Sequence, residues 1–335
     1  MVEEMDILAV DGGGTGCRGV LCRRQPPIVR IAQGAAVNYH AVGAGQAEQS
    51  LTSLLRSLTG GAATKVKCAV FGLAGLDTAA DRITLTSMLR RSLAAAAIRA
   101  DAICLDNDVL VTLRGEAGGG AGIIVAAGTG SIVWGLATDG RTARAGGWGY
   151  RVGDEGSGYD LGRQALSHVL HVYDGRAEQS RLAAAVLAEL GVADTPSLLD
   201  WVYGPDFTVQ RTAALATVVM RLAETGDGAA QAIVSAGAIQ LASAALAVFR
   251  RLELGNSSVT LVTSGGLLRH KLLHTMLLEQ LSDVCRPLAS RSLAQPPLCS
   301  AVRYGYRMAG MDEQEFLEDV TVKVAHQLRE WAVTC

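Results

Sequence analysis

Residues 7–27 read ILAVDGGGTGCRGVLCRRQPP. An apolar run ends in an acid, three glycines and a threonine, and a second run follows before Pro26-Pro27. Such a turn suits phosphate, and three kinds of phosphate site compete for it. Gly14-Thr15-Gly16-Cys17-Arg18-Gly19 matches the dinucleotide pattern GxGxxG letter for letter. That fold needs a helix directly after its glycines, so that the helix N-terminus faces pyrophosphate. The prolines leave no room for one, and no acidic residue ends a second strand about 20 residues on. A P-loop would need Gly-Lys-Ser/Thr, and no lysine is present. What survives is a strand–turn–strand clamp. Gly12, Gly13 and Gly14 lack Cβ atoms and let backbone N–H groups approach an anion. Thr15 adds a hydroxyl, and Asp11 at the strand end is suited to a hydrated Mg²⁺. A hairpin turn with no ligand is the plain alternative.

A second stretch weighs against that alternative. AVDGGGTGCRGVL at 9–21 is echoed by IVAAGTGSIVWGL at 124–136. Around the first, strands are expected at 5–11, 17–23 and 28–34, then a helix at 47–58, a strand at 66–72, a helix at 79–96, a strand at 102–106 and a helix starting near Asp108. From 122 the order begins again, with strands at 122–127 and 131–138 and a helix near 159–173. Helical periodicity covers 177–253. A strand at 258–263 runs into a helix at 266–282, and a last helix spans 312–332. The expected fold class is α/β, as two α/β domains facing across a cleft. The first domain is 1–116, and the C-terminal helix 312–333 packs back on it. The second is 117–311, with 177–253 as a helical insertion.

Composition narrows the function. At 335 residues and 49% hydrophobic content the chain can bury two cores. A net charge of -2 argues against a general electrostatic grip on nucleic acid or anionic membrane. MVEEMD is acidic and does not read as a targeting segment. Seven scattered cysteines without CxxC suggest reduced thiols in a cytoplasm. No charge falls between Glu116 and Asp139, roughly a bilayer's span, but GTGS breaks the stretch, which reads as two buried strands. His270 and His274, like His168 and His171, stand on helices without a local carboxylate to complete a metal site, and read as surface or packing residues.

Taken together, the motifs resemble a known group. DGGGT at 11–15, VN at 37–38, FGLAG at 71–75, LDND at 105–108, AGTGS at 127–131, GGWGYRVGDEGSG at 146–158 and SGG at 264–266 occur in this order. Over nearly the whole chain they resemble the actin-like ATPase (ribonuclease H-like) superfold, and within it the BadF/BcrA-type ATPase family and its N-acetylglucosamine kinases. The resemblance implies ATP and Mg²⁺ as cofactors and an amino sugar as substrate. Asp11 to Thr15 would form the first phosphate turn, with Asp11 reaching the metal through water. Gly128, Thr129 and Gly130 would form the second. Ser264, Gly265 and Gly266 would lie against adenosine. Asn38, Gly147, Trp148 and Asp154 match sugar-contacting positions, and Asp108 matches the catalytic Asp.

Phosphoryl transfer to a sugar hydroxyl needs alignment, charge neutralisation and a proton acceptor. Asp108, opening a helix, suits a general base. Asp106 is its rival, and either could be a helix N-cap. Trp148 could lie against the sugar or pack in a core, and Asn38 could be a turn residue. The expected activity is transfer of the γ-phosphate of ATP to the 6-hydroxyl of N-acetylglucosamine or glucosamine. N-acetylmuramic acid and N-acetylmannosamine are alternative acceptors. Some relatives are ATPases that activate reductases or dehydratases through a cysteine-held iron–sulfur cluster, but Val125-Ala126, not cysteine, precede Ala127-Gly128 here. A sugar-sensing regulator is a further alternative, and no DNA-binding segment precedes residue 5. A homodimer is the commonest assembly.

Overall fold

The computed structural model describes residues 2–256, 258–282 and 288–334. The chain divides into two compact units, residues 1–119 with 293–335, and residues 120–292.

The first unit starts with β1 (Glu3–Gly12), β2 (Cys17–Arg23) and β3 (Ile28–Gly34), an antiparallel meander. A short helix α1 (Tyr39–Val42) and α2 (Ala44–Thr59) lead to β4 (Thr64–Leu73). Then come α3 (Ala79–Ala95), β5 (Ile98–Asp106) and α4 (Asp108–Glu116). The sheet order is β3-β2-β1-β4-β5, with β1, β4 and β5 parallel. Gly12 pairs with Leu73 and Gly72 with Asp106, so three carboxyl ends finish at one edge.

The second unit repeats the plan. It opens with β6 (Ala121–Ala127), β7 (Ser131–Leu136) and β8 (Thr142–Gly146). The helices α5 (Gly158–Tyr173), α6 (Arg181–Leu190), α7 (Ser197–Tyr203), α8 (Val209–Glu224) and α9 (Gly228–Arg251) follow. Then come β9 (Val259–Ser264), α10 (Lys271–Ser282) and β10 (Leu288–Ser292). Read from β8, the order is β8-β7-β6-β9-β10, the same as in the first sheet. The strands β8 and β10 were not expected from sequence. The helix expected at 266–282 is interrupted: a 3₁₀ turn, Leu267–Arg269, precedes α10.

The chain then returns to the first unit as α11 (Pro297–Met308) and α12 (Gln314–Thr334). Residues 293–311, expected in the second domain, therefore belong to the first unit. The packing supplies the reason. Val302 and Tyr306 of α11 are buried with Ile7 and Val70 on one face of the first sheet, while Leu51, Leu55 and Leu85 cover the other. Glu116, closing α4, accepts from Ser300 Oγ at 2.7 Å and Arg303 Nη1 at 2.6 Å.

α9 is long and apolar enough to cross a membrane by length and composition. Its Val234, Leu241, Ala245 and Val248 are instead buried in the second unit's core with Leu161, Leu215 and Val219. The uncharged stretch after Glu116 forms β6 and β7, paired Ala126 to Ile132 and Ala127 to Ser131.

Candidate active site

The first glycine turn joins β1 directly to β2. Gly13 N–H donates to Gly16 O at 2.9 Å and closes the turn. No helix follows the GxGxxG match, because β2 starts at Cys17. Gly12 is pressed between Val37 and Leu73, and any Cβ there would overlap Val37. At Gly14 a Cβ would meet nothing within 4 Å; Gly14 and Thr15 are exposed, so this side of the turn is open to a ligand. Gly13 O accepts from Val37 N at 3.2 Å and Asn38 N at 3.3 Å, which brings Asn38 beside the turn. The Asn38 side chain caps α1, accepting from His40 N at 3.1 Å.

Asp11 and Asp108 are brought together in this unit. Burial pushes the Asp11 carboxyl up to about 6, partly offset by the Arg18 guanidinium. Burial pushes Asp108 up to about 7, and the Asp11 charge adds to the shift; the N–H groups of Val109 and Asp108 pull the other way. Asp108 is the first residue of α4 and Asn107 is its N-cap, with Oδ1 accepting from Val109 N at 3.0 Å. The α4 start approaches β4 closely at Gly72, where a Cβ would stand 3.1 Å from the Asp108 Cα.

Asp106 has a different environment. Its Oδ1 accepts from Arg82 Nη2 at 2.8 Å and its Oδ2 from Arg114 Nε at 3.0 Å. Arg82 Nη1 also donates to Leu105 O at 2.8 Å. Both carboxylate oxygens are thus occupied by guanidinium donors, which leaves neither turned to a substrate hydroxyl.

A buried hub lies behind Asn38. Asp81 accepts from Tyr39 OH, His40 Nε2 (3.0 Å), Thr78 N (2.6 Å), Thr78 Oγ1 (2.8 Å) and Asp77 N (3.0 Å). Burial alone would raise its pKa, but these donors together hold it well below the usual carboxylate range. Arg82, Arg114 and Asp81 were not among the residues expected from sequence. Only Thr78-x-x-Asp81 carried a local signal, as a variant of the capping box.

The second unit carries the other turn. Gly128 N–H donates to Gly130 O at 2.9 Å. Gly128 O accepts from Gly158 N at 2.7 Å and Thr129 O from Tyr159 N at 3.1 Å, which seats the turn on the start of α5. Asp154 is buried and has a left-handed backbone, with φ 60. Its Oδ1 accepts from Gly149 N at 3.2 Å, and a Cβ on Gly130 would stand 2.6 Å from its Oδ2. Burial raises its pKa, against the N–H groups of Gly149 and Ser131. Ser264 pairs with Ala126. Gly265, at φ 96, lies so close to Ala127 that a Cβ would overlap its carbonyl. The turn, Asp154 and Ser264–Gly266 therefore form one cluster. Gly147 adjoins Ile132, at the start of β7, and Trp148 is exposed rather than part of a core.

Among the described residues no group of three His, Cys, Asp or Glu could hold a metal. His270 Nδ1 lies 3.7 Å from Glu224, and His168 bonds Ser180 Oγ at 2.7 Å. Cys17, Cys22, Cys68, Cys104 and Cys299 are free thiols, and Cys285 and Cys335 lie outside the described residues.

Two sheets of one order, each with a glycine turn closing its leading hairpin, define the actin-like ATPase and sugar-kinase fold. A family model described as the BadF/BadG/BcrA/BcrD ATPase family matches residues 8–286, and the chain belongs to that family. It is 35% identical over 199 residues to an N-acetylmuramic acid/N-acetylglucosamine kinase of Clostridium acetobutylicum, covering 59% of this chain and 63% of the relative. It is 27% identical over 281 residues to an N-acetyl-D-glucosamine kinase of Dictyostelium discoideum, covering 79% of this chain and 86% of the relative. A solved structure of a candidate N-acetylglucosamine kinase from Chromobacterium violaceum superposes with TM-score 0.66 at 30% identity, covering 90% of this chain and 99% of that one.

Proposed function

We propose that the chain is an ATP-dependent amino-sugar kinase that phosphorylates the 6-hydroxyl of N-acetylglucosamine, with Asp108 as general base. The observation that carries this reading is the contrast between two acids two residues apart. Asp106 is neutralised by Arg82 and Arg114. Asp108 has only N–H groups opposing its burial and is poised near neutrality, where a base is most effective.

The glycine turns fit a nucleotide. At Gly14, which is exposed, and at Gly128, which is half-buried, a Cβ would meet nothing within 4 Å, and one turn adds Thr15 and the other Thr129 as hydroxyl donors. The Asp11 carboxyl, raised by burial, fits a hydrated Mg²⁺ that would restore its charge. Bound Mg²⁺ would supply neutralisation of the developing phosphate charge. Asn38, Gly147, Trp148 and Asp154 hold and orient the sugar, and Ser264, Gly265 and Gly266 receive the adenosine. Asp108 accepts the proton as the sugar O6 forms its bond to the γ-phosphorus and the bond to the ADP oxygen breaks. The products are the sugar 6-phosphate and ADP, and the proton passes to solvent. The enzyme acts in the cytoplasm as a homodimer.

A coupled ADP-release assay tests this, run with N-acetylglucosamine, glucosamine, N-acetylmuramic acid, N-acetylmannosamine and glucose. Sugar-dependent ADP release, lost in Asp108→Asn with ATP binding intact, is the expected result. ADP release unaffected by any sugar would overturn it. The Clostridium relative's name favours N-acetylmuramic acid as the second acceptor.

A further inference from the structure

Trp148 is 66% exposed, an unusual place for the largest apolar side chain. Its surroundings are nevertheless built. Gly147 at φ 69 and Gly149 at φ 87 flank it in left-handed backbone. Gly153 adjoins it so closely that a Cβ there would stand 3.2 Å from the Trp148 Cβ. The Arg144 guanidinium lies over the indole, 4.1 Å from the ring centroid. Arg144 sits on β8 opposite Trp134, and its carbonyl accepts from Arg251 Nη1 at 2.9 Å, which ties this strand to α9.

We propose that Arg144 is a positioning residue that sets Trp148 as a platform for the sugar. The inference deepens the function proposed above and rests on its placing of Trp148 against the sugar. An exposed indole has no core to fix its rotamer. The guanidinium on one face supplies that restraint through the ring quadrupole. The opposite face stays available to the C–H face of a pyranose. Packing alone would have buried the ring and removed this face.

The full chain is assayed as Arg144→Met, which keeps the stem and removes the cation, Arg144→Lys, which keeps a cation, and Trp148→Ala. The readouts are KM for N-acetylglucosamine, KM for ATP, kcat, and quenching of tryptophan fluorescence by the sugar. Arg144→Met should raise the sugar KM about two- to fivefold, the strength of an exposed cation–π pair, and leave kcat and the ATP KM in place. It should weaken the sugar-dependent quench. Arg144→Lys should recover most of both. Added to Trp148→Ala, Arg144→Met should change nothing further. A sugar KM raised by Trp148→Ala but not by Arg144→Met, or full additivity of the two, overturns the inference and leaves the platform standing. A sugar KM indifferent to Trp148→Ala removes the platform and the inference together. Should Arg144→Met fail to fold, Arg144→Gln, which also removes the cation, takes its place with the same expected and overturning results.

Discussion

Replacing Asp108 by Asn should slow turnover severely and stabilise the protein, the second effect depending on pH. An unperturbed carboxyl ionises at 3.8, and burial with the Asp11 charge moves Asp108 to about 7. Between these values the folded chain keeps a proton that the unfolded chain has released. Stability therefore falls as pH rises through this window and levels off above about 7. At about 1.36 kcal/mol per tenfold change in proton affinity, the displacement costs about 4 kcal/mol at pH 8. Asp108 is half-buried, so solvent screens part of this, and about 2–4 kcal/mol is the expected gain for the neutral isostere. For a unit of this size that is about 5–12 °C in Tm. At pH 5 the same linkage leaves about two fifths of the gain. Meanwhile the loss of a general base should lower kcat by about 10²–10⁴. Thermal unfolding of both proteins at pH 5 and pH 8, with an ADP-release assay, measures all of this. A Tm difference independent of pH, or a variant less stable at pH 8, refutes burial as the origin of the shift. Near-normal turnover refutes Asp108 as the base.

Three other changes separate supporting residues from the base. Asp106→Ala strands the Arg82 and Arg114 guanidinium groups and should cost about 2–4 kcal/mol in urea unfolding, while its kcat stays well above that of Asp108→Asn. Asp81→Asn should raise the sugar KM, because the α1 contacts of Tyr39 and His40 slacken. Since Asp81 is held well below the usual range, its contribution is whole above about pH 4 and is lost only as pH falls further toward the lowered folded-state value, so the stability gap between wild type and variant should hold steady from about pH 7 to pH 5 and narrow only below about pH 4. Gly265→Ala forces a Cβ onto the Ala127 carbonyl in a left-handed backbone; calorimetry should show at least a tenfold loss in ATP affinity, and unchanged binding would detach Ser264–Gly266 from the nucleotide.

The legibility of the fold followed the range of the forces. β2 and β3 were read to the residue, because Pro26-Pro27 and the glycine turn are local punctuation. The duplicated turn was equally plain. β8 was hidden in a glycine-rich passage, since five residues that pair Thr142 to Leu136 and Gly146 to Ile132 carry no strong alternation. β10 and α11 were missed although the duplication implied a fifth strand in the second sheet. Pro297 stands at N1 of α11, where its missing N–H costs nothing. At the candidate site, Asp11, the turn and Asp108 belong to short motifs and could be nominated from sequence. The partners of Asp106 were not, for Arg82 is 24 residues away and meets it only after β4, α3 and β5 have been packed.

The two glycine turns also explain how a duplicated scaffold avoids self-defeat. The residue before the paired strand end is Asp11 in β1 and Ala126 in β6, facing Arg18 and Ile132. A carboxylate at an anion-binding turn repels phosphate unless a cation screens it. A carboxylate in the first turn alone confines the proposed cation site to that unit. The other turn retains only N–H groups and a threonine, which bind anions without charge of their own. The Asp154 carboxyl does approach the second turn at Gly130, but it is buried and raised, and Gly149 N–H holds it. A charge placed at Ala126 should therefore weaken nucleotide binding far more than the same charge on the exposed face of β8.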